Sequence, residues 1–262
     1  MADRVKDQYT SEIYNELGYF ATWLPGGSVG LGDFGPADGR LYVRQGSLKS
    51  LGFKFKPTQQ GPALNIEFSS RNAVNVTVQV KGESKNLPNI PNGQAGIDLS
   101  FSRSGACVLV LRNAREWTIE NLYQFQRDVL AYYKRHYSEW AKDFIVISSI
   151  VQAKSASIII ADDTSSHFSV ATDADITAGL IDLANASLNF SVKNSRDVST
   201  KIISQADLQP LFRAFRIKDS WLNGPRVNTL ASADLPEEIG SDESPFEWAS
   251  TAPPGLRQFS RA

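Results

Sequence analysis

The most constraining feature of the chain is a stretch of strict two-residue alternation. Val74, Val76, Val78 and Val80 are apolar, and Asn75, Thr77 and Gln79 between them are polar. Successive side chains of a strand point to opposite faces, so this pattern specifies a β-strand with one apolar and one polar face. Ile97, Leu99 and Phe101 alternate in the same way with Asp98, Ser100 and Ser102. Between the two stretches lies a turn-rich connection with Pro88, Pro91 and Asn92-Gly93. The expectation is an antiparallel pair over about 72–103 with a long connection. A second set, Ala184, Ala186, Leu188, Phe190 and Val192, alternates with polar residues. Asn194 to Asp197 then reads as a turn, and Val198, Thr200 and Ile202 alternate again, so 184–205 reads as a second amphipathic hairpin.

The other elements are read around these. Residues 8–20 carry Ile13, Leu17 and Phe20 at helical spacing, with Gly18 near the end. Pro25 to Gly39 reads as turns and short extended pieces. Leu41, Val43, Leu48, Leu51 and Phe53 form a small apolar set interrupted by glycines. Cys107–Leu111 is a continuous apolar run, expected as a more buried strand. A helix is predicted over 118–138, with Leu122, Phe125, Val129 and Tyr133 on one face. Glu116 and Glu120 near its start, and Lys134, Arg135 and His136 near its end, suit the helix dipole. Strands are expected at 144–151, 155–161, 168–170 and 211–218, with a short helix within 173–183. From Asn223 onward prolines punctuate a stretch rich in Ser, Ala and acidic residues. The predicted organisation is one α+β domain over 1–222, mainly an antiparallel twisted β-sheet with a few helices, and a flexible or docked tail over 223–262. Phe246 and Trp248 are its two aromatic anchors.

Bulk properties exclude several function classes. The net charge is −1 and the sequence pI is near 6.2. No domain-wide basic field exists for condensing onto nucleic acid, so a nucleic-acid partner is not expected. A single cysteine, Cys107, permits no internal disulfide. The polar N-terminus lacks the apolar core of a secretory signal, and no apolar run approaches the length of a membrane-spanning helix. The expectation is a soluble, intracellular protein.

No catalytic pattern survives inspection. Gly30-Leu31-Gly32-Asp33-Phe34-Gly35 spells G-x-G-x-x-G, but Pro25-Gly26-Gly27 precedes it where a strand is needed, and Pro36 follows where a helix should begin. It reads as a glycine turn in which Asp33 caps the backbone. The two histidines, His136 and His167, have no partner at metal-ligand spacing. His136 reads as a charge at a helix C-terminus and His167 as solvated beside a Ser-rich turn. Asp162-Asp163 and Asp173/Asp175 fit turns and caps, not a calcium loop. Cys107, inside an apolar run, reads as an inert core thiol. The chain is expected to be no enzyme and to need no cofactor or metal.

The alternating stretches suggest a function of another kind. A membrane-spanning strand needs about 9–11 residues, alternating and fully paired. Residues 72–81 and 184–193 reach that length. The membrane-inserting set is then Val74, Val76, Val78, Val80, Ile97, Leu99, Phe101, Ala186, Leu188, Phe190, Val192 and Ile202. Leu17-Gly18-Tyr19, Trp23-Leu24-Pro25 and Gly46-Ser47-Leu48-Lys49-Ser50-Leu51 resemble the opening of the gasdermin pore-forming domain, and of its short bacterial members in particular. Asp143–Ile147 with Ala153–Ala161 is similar to the strand pair after that family's central helices, and Leu211–Ile217 to its closing strand. The likeness covers residues 10–222 as an order of elements. It implies a defence effector held inactive by its C-terminal segment. An activating protease would release it to oligomerise, move from the cytoplasm to the inner membrane and permeabilise lipid. Residues 2–6 are Ala-Asp-Arg-Val-Lys, without the lipidated cysteine that bacterial gasdermins commonly carry near the N-terminus. The alternative is a soluble, non-enzymatic binding or adaptor module of a bacterial defence or stress system.

Overall fold

The structure is a computed structural model that describes residues 2–25, 27–38, 41–82, 87–203, 208–220 and 224–230. Helix α1 (Ala2–Leu17) is followed by the short strands β1 (Phe20–Ala21), β2 (Asp33–Asp38), β3 (Leu41–Tyr42) and β4 (Gly46–Ser47). Then come β5 (Pro57–Ser69), β6 (Val74–Gln79), β7 (Ala95–Phe101), β8 (Cys107–Ile119) and α2 (Leu122–Arg135). The chain continues through β9 (Phe144–Ala153), β10 (Ser155–Ala161), β11 (His167–Thr172), β12 (Ser191–Arg196), β13 (Val198–Ile203), β14 (Leu208–Ser220) and β15 (Gly224–Thr229). All strand pairs are antiparallel and fall into two sheets, so the chain has an α+β fold built mainly of antiparallel sheet.

The larger sheet runs β1-β14-β9-β8-β10-β13, with β5 along the outer side of β8 and β15 on β14. Its centre is buried on both faces, which is why Cys107–Leu111 reads as an unbroken apolar run. The odd residues Cys107, Leu109 and Leu111 meet Val5, Tyr9 and Ile13 of α1. The even residues Val108 and Val110 face the smaller sheet. At Asn113, which is left-handed at φ 50°, β8 exchanges its neighbour β10 for β9. Asn65 Oδ1 accepts the Asn113 amide at 3.1 Å, holding that bend. Helix α2 packs Phe125, Val129 and Tyr133 into the cluster formed by Phe144, Val146, Phe212 and Phe215.

Several sequence expectations need correction. The helix expected at 118–138 spans 122–135, because Thr118 and Ile119 still belong to β8, paired with Thr58 and Pro57. Glu116 is therefore not at a helix start. It lies in β8, where its carboxylate accepts from Tyr19 Oη at 2.9 Å and Ser149 Oγ at 2.5 Å and pairs with Arg213 at 3.3 Å. The N-terminal helix spans 2–17 in place of 8–20, and Gly18, at φ +70°, ends it with its amide donating a hydrogen bond to the Tyr14 carbonyl. Residues 224–229, read as the start of the tail, are β15, and Leu230 is buried beside α2. Phe246 and Trp248 lie outside the described residues.

The second hairpin, 184–205, does not exist as a hairpin. Residues 179–184 and 186–188 are short 3-10 turns, so Ala186 and Leu188 are not in a strand and Phe190 precedes one. Polar side chains in and just before this stretch bond the local backbone in place of a ladder. Asn185 Oδ1 accepts from the Ser187 amide at 3.3 Å, and Asp182 Oδ2 accepts from the amides of Thr177 and Ala178 at 2.9 and 2.8 Å. Beyond them, β12 and β13 follow each other with only Asp197 between, yet they lie in different sheets.

Candidate functional site

The smaller sheet has the order β12-β11-β7-β6. The pairing expected from sequence is present: Val74, Val76 and Val78 lie opposite Phe101, Leu99 and Ile97. Beyond β7 the same rows continue, Leu99 to Phe168 and Ile97 to Val170, then Val170 to Val192. These residues form one apolar face. Ile97, Leu99, Phe168 and Val170 are fully buried against Val108, Val110, Ile159, Leu180 and Leu183. Val80 and Val192, at the sheet's edges, are 40% exposed each.

The opposite face is polar. Asn75, Thr77, Asp98, Ser100, His167, Ser169 and Asn194 share it by register. His167 is not the solvated turn residue its sequence neighbours suggest. It sits in β11 and joins three strands, with Nε2 3.0 Å from Asp98 Oδ2 on β7 and Nδ1 3.2 Å from Asn194 Nδ2 on β12. The ring thereby bridges the Asp98 carboxylate and the Asn194 amide across the sheet. Asp98 Oδ1 and Ser169 Oγ, on cross-strand partners, are buried with no hydrogen-bond partner among the described residues. One end of the face is covered by the β6–β7 connection. Gln79 grips that connection through the Leu87 amide and the Gln94 carbonyl, both at 3.0 Å, and Ile90 lies over Gly96. Beside His167 a shallow depression of about 380 Å³ is lined by Asn89, Ser100, Ser165, Asn194 and Arg196.

The relation between the two sheets is the feature that sequence reading missed. β5 leads into β6, β7 into β8, β10 into β11 and β12 into β13, each through a short joint. Next to these joints the larger sheet is ordered β5-β8-β10-β13, and the smaller is ordered β6-β7-β11-β12. Neighbours in one sheet are therefore continued by neighbours in the other. The smaller sheet is the larger one carried on past a bend. In the central pair the register is also kept. Cys107 faces Ile160, Ser100 faces His167, and the stretches between, 101–106 and 161–166, are equal in length. Backbone bonds persist through them, from the Phe101 amide to the Ser166 carbonyl and from the Gly105 amide to the Ala161 carbonyl.

The bend is produced locally. Asn72 in the first joint, Gly105 in the second and Asp197 in the fourth have left-handed backbones at φ 54°, 74° and 52°. Such residues turn a strand out of its plane. The Asp197 carbonyl accepts from the Asp162 amide at 2.8 Å and from Ser166 Oγ, tying the last two joints together.

The remaining sequence candidates have structural roles. Asp33 caps the glycine turn, accepting the Gly30 amide at 2.9 Å and pairing with Arg44 at 2.7 Å, and a strand follows the turn. His136 caps α2 and stacks on Tyr132. Cys107 is buried, and that burial pushes its thiol well above the usual range, as expected of a core thiol. Of the membrane-inserting set, Val74, Val76, Val78, Val80, Ile97, Leu99, Phe101 and Val192 belong to the smaller sheet or its edge. Ile202 lies in β13 opposite Ile158 of the larger sheet. Among the described residues no helix is long and apolar enough to cross a membrane, and no group of His, Cys, Asp and Glu could hold a metal.

No family model and no curated protein matches the chain. Among solved structures, the cryo-EM structure of the gasdermin A3 membrane pore aligns with 71% of this chain and 72% of its own, at 12% identity and a TM-score of 0.26. A score that low carries nothing over from that protein to this one.

Proposed function

We propose that the chain is a non-enzymatic, membrane-permeabilising effector of the gasdermin kind that acts by straightening the bend between its two sheets. The observation that supports this reading is the matched strand order on either side of the bend. Straightened, the joints give continuous strands over 57–79, 95–119, 155–172 and 191–203. Each exceeds the roughly 9–11 residues that a tilted strand needs to cross a bilayer. The pairing already present would satisfy their backbones, apart from the outer edges along β5–β6 and β12–β13, which a neighbouring copy would have to pair. The apolar face of the smaller sheet would exchange a protein core for lipid. The polar face would meet water.

In this reading the protein is cytoplasmic until cleavage of its C-terminal segment sends it to the inner membrane. Because β15 and Leu230 belong to the fold, the cut belongs after residue 230, not within 223–229. The test is dye release from anionic vesicles by the full chain carrying a protease site inserted after residue 230. Release after cutting and not before is expected. Intact vesicles at high protein concentration, with the cut chain still folded, would sink the proposal. The depression beside His167 favours a second reading, a soluble binding module. That reading requires a ligand whose binding is abolished by Arg196→Ala and indifferent to lipid.

A further inference from the structure

We propose that helix α1 is a catch that holds the bend closed by gripping two of its four joints, an inference that rests on the straightening reading above. Four contacts, two of them through one shared carboxylate, run from α1 to the first joint (70–73) and the second (102–106). Glu12 accepts both oxygens' worth of hydrogen bonds from Arg103 Nη2, at 3.0 Å each, with the carboxylate side chain only 13% exposed. The same carboxylate accepts from Ser70 Oγ at 2.8 Å. Ser70 Oγ in turn accepts the Cys107 amide at 2.8 Å, so the first residue of β8 is tied in as well. Glu16 pairs with Arg71 at 3.2 Å on the exposed side. Gly105 lies directly under the helix, where an added Cβ would sit 2.5 Å from Gln8 Cβ, and its φ of +74° is one that side chains resist.

These residues do little for α1 as a helix. Its attachment to the larger sheet comes from Val5, Tyr9 and Ile13, packed on Leu109, Leu111, Ile158 and Ile160. Glu12 and Gln8 instead reach the joints, where strand direction changes. A partly buried carboxylate with three charge-assisted bonds holds those joints at fixed separation, because straightening either strand moves Ser70 and Arg103 apart. Losing α1 contacts would therefore free the bend while leaving both sheets intact. The catch belongs to the folded domain and is distinct from any restraint by residues beyond 230.

The test compares hydrogen exchange of the full chain and its Glu12→Gln variant, separately for amides of 74–79 and 95–101 and for amides of 144–151. The expected result is at least about tenfold faster exchange in the smaller sheet, the factor for loss of one charged hydrogen bond, with the larger sheet unchanged. The exchanged pair Glu12→Arg with Arg103→Glu, which restores the ion pair but not the bond donated by Ser70, should recover part of the slow exchange. Equal acceleration in both sheets, or none, overturns the catch. If Glu12→Gln fails to fold, Glu16→Gln must show the same selective pattern in weaker form or the proposal fails. The two readings separate in the vesicle assay. Selective exchange with no leakage from any cut chain refutes permeabilisation and leaves the catch. Leakage with no effect of Glu12→Gln on exchange refutes the catch alone.

Discussion

The smaller sheet is built from four lengths of chain that also run through the larger one, yet the chemistry of the two sheets differs. In the larger sheet both faces of β8 and β10 are apolar and covered, one by α1 and the other by the smaller sheet. In the smaller sheet one face is apolar and buried, and the other carries Asp98, His167, Asn194 and Ser169. A sheet closed on both faces has one stable arrangement, because either face exposed would put Leu109 or Val108 into water. A two-faced sheet is content wherever one side is apolar and the other wet. The neighbouring core provides that in the folded protein, and a lipid–water boundary would provide it equally well. If the bend straightens as proposed, the smaller sheet uncovers Val108 and Val110, so that face of β8 must pass into lipid together with it.

The largest effect is expected in the larger sheet. Phe212→Ala removes a fully buried ring stacked on Phe20 and should cost about 3–5 kcal/mol of global stability, read as a shift in denaturant midpoint. Selective loosening of the smaller sheet in that variant would break the comparison. Leu99→Ala should cost about 2–4 kcal/mol, and exchange should quicken first in β6, β7 and β11. Simultaneous loss of both sheets would show that they do not behave as separate units. His167→Ala, which cuts the cross-strand link to Asp98 and Asn194, should cost about 1–2 kcal/mol, with β12 loosened most.

A pH series sharpens the contrast from the other side. Burial raises the Cys107 thiol, so the folded chain keeps that proton where the unfolded chain releases it. The folded state then binds more protons above the unfolded thiol value of about 8.5, and stability must fall as pH rises past it, by up to about 1.4 kcal/mol per unit. Cys107→Ala should flatten that slope between about pH 8.5 and 10, before tyrosines of the unfolded chain ionise. An unchanged slope would mean that the thiol is not what limits alkaline stability. The smallest effect is expected at Val80, already 40% exposed at the edge, where Lys should change stability by no more than about 0.5 kcal/mol.

Much of this fold was legible in the sequence where one physical rule acted alone. The β6–β7 pair is there because period two has a single solution once one face is buried. The buried face of α2 followed from its 3.6-residue spacing, and the burial of Cys107 from its apolar run. Competing rules hid the rest. Strand β5 was missed because it is an edge, largely exposed, with Gly61 and Pro62 inside it, and only Leu64, Ile66 and Phe68 alternate. The 184–190 stretch imitates a strand, but Asp182 and Asn185 satisfy backbone amides locally and so win it for 3-10 turns. The bend is written in single residues, Asn72, Gly105 and Asp197, whose left-handed conformations look like ordinary turn signals. That they fall in the joints of neighbouring strands is a property of the pairing, which no local pattern carries. His167 gave no signal either, since its partners Asp98 and Asn194 are distant in the chain and adjacent only through register.

The most direct test of straightening is a distance across one joint. Spin labels at Leu64 on β5 and Asn75 on β6, both exposed positions, flank the first joint. A continuous strand between them would hold the labelled backbone positions about 36 Å apart, at roughly 3.3 Å per residue. The distance should be shorter in the uncut protein, because the bend lies between the labels, and should lengthen to about that value in leaking vesicles after cutting beyond residue 230. Vesicles that leak while the distance stays at its uncut value would contradict the bend as the moving part.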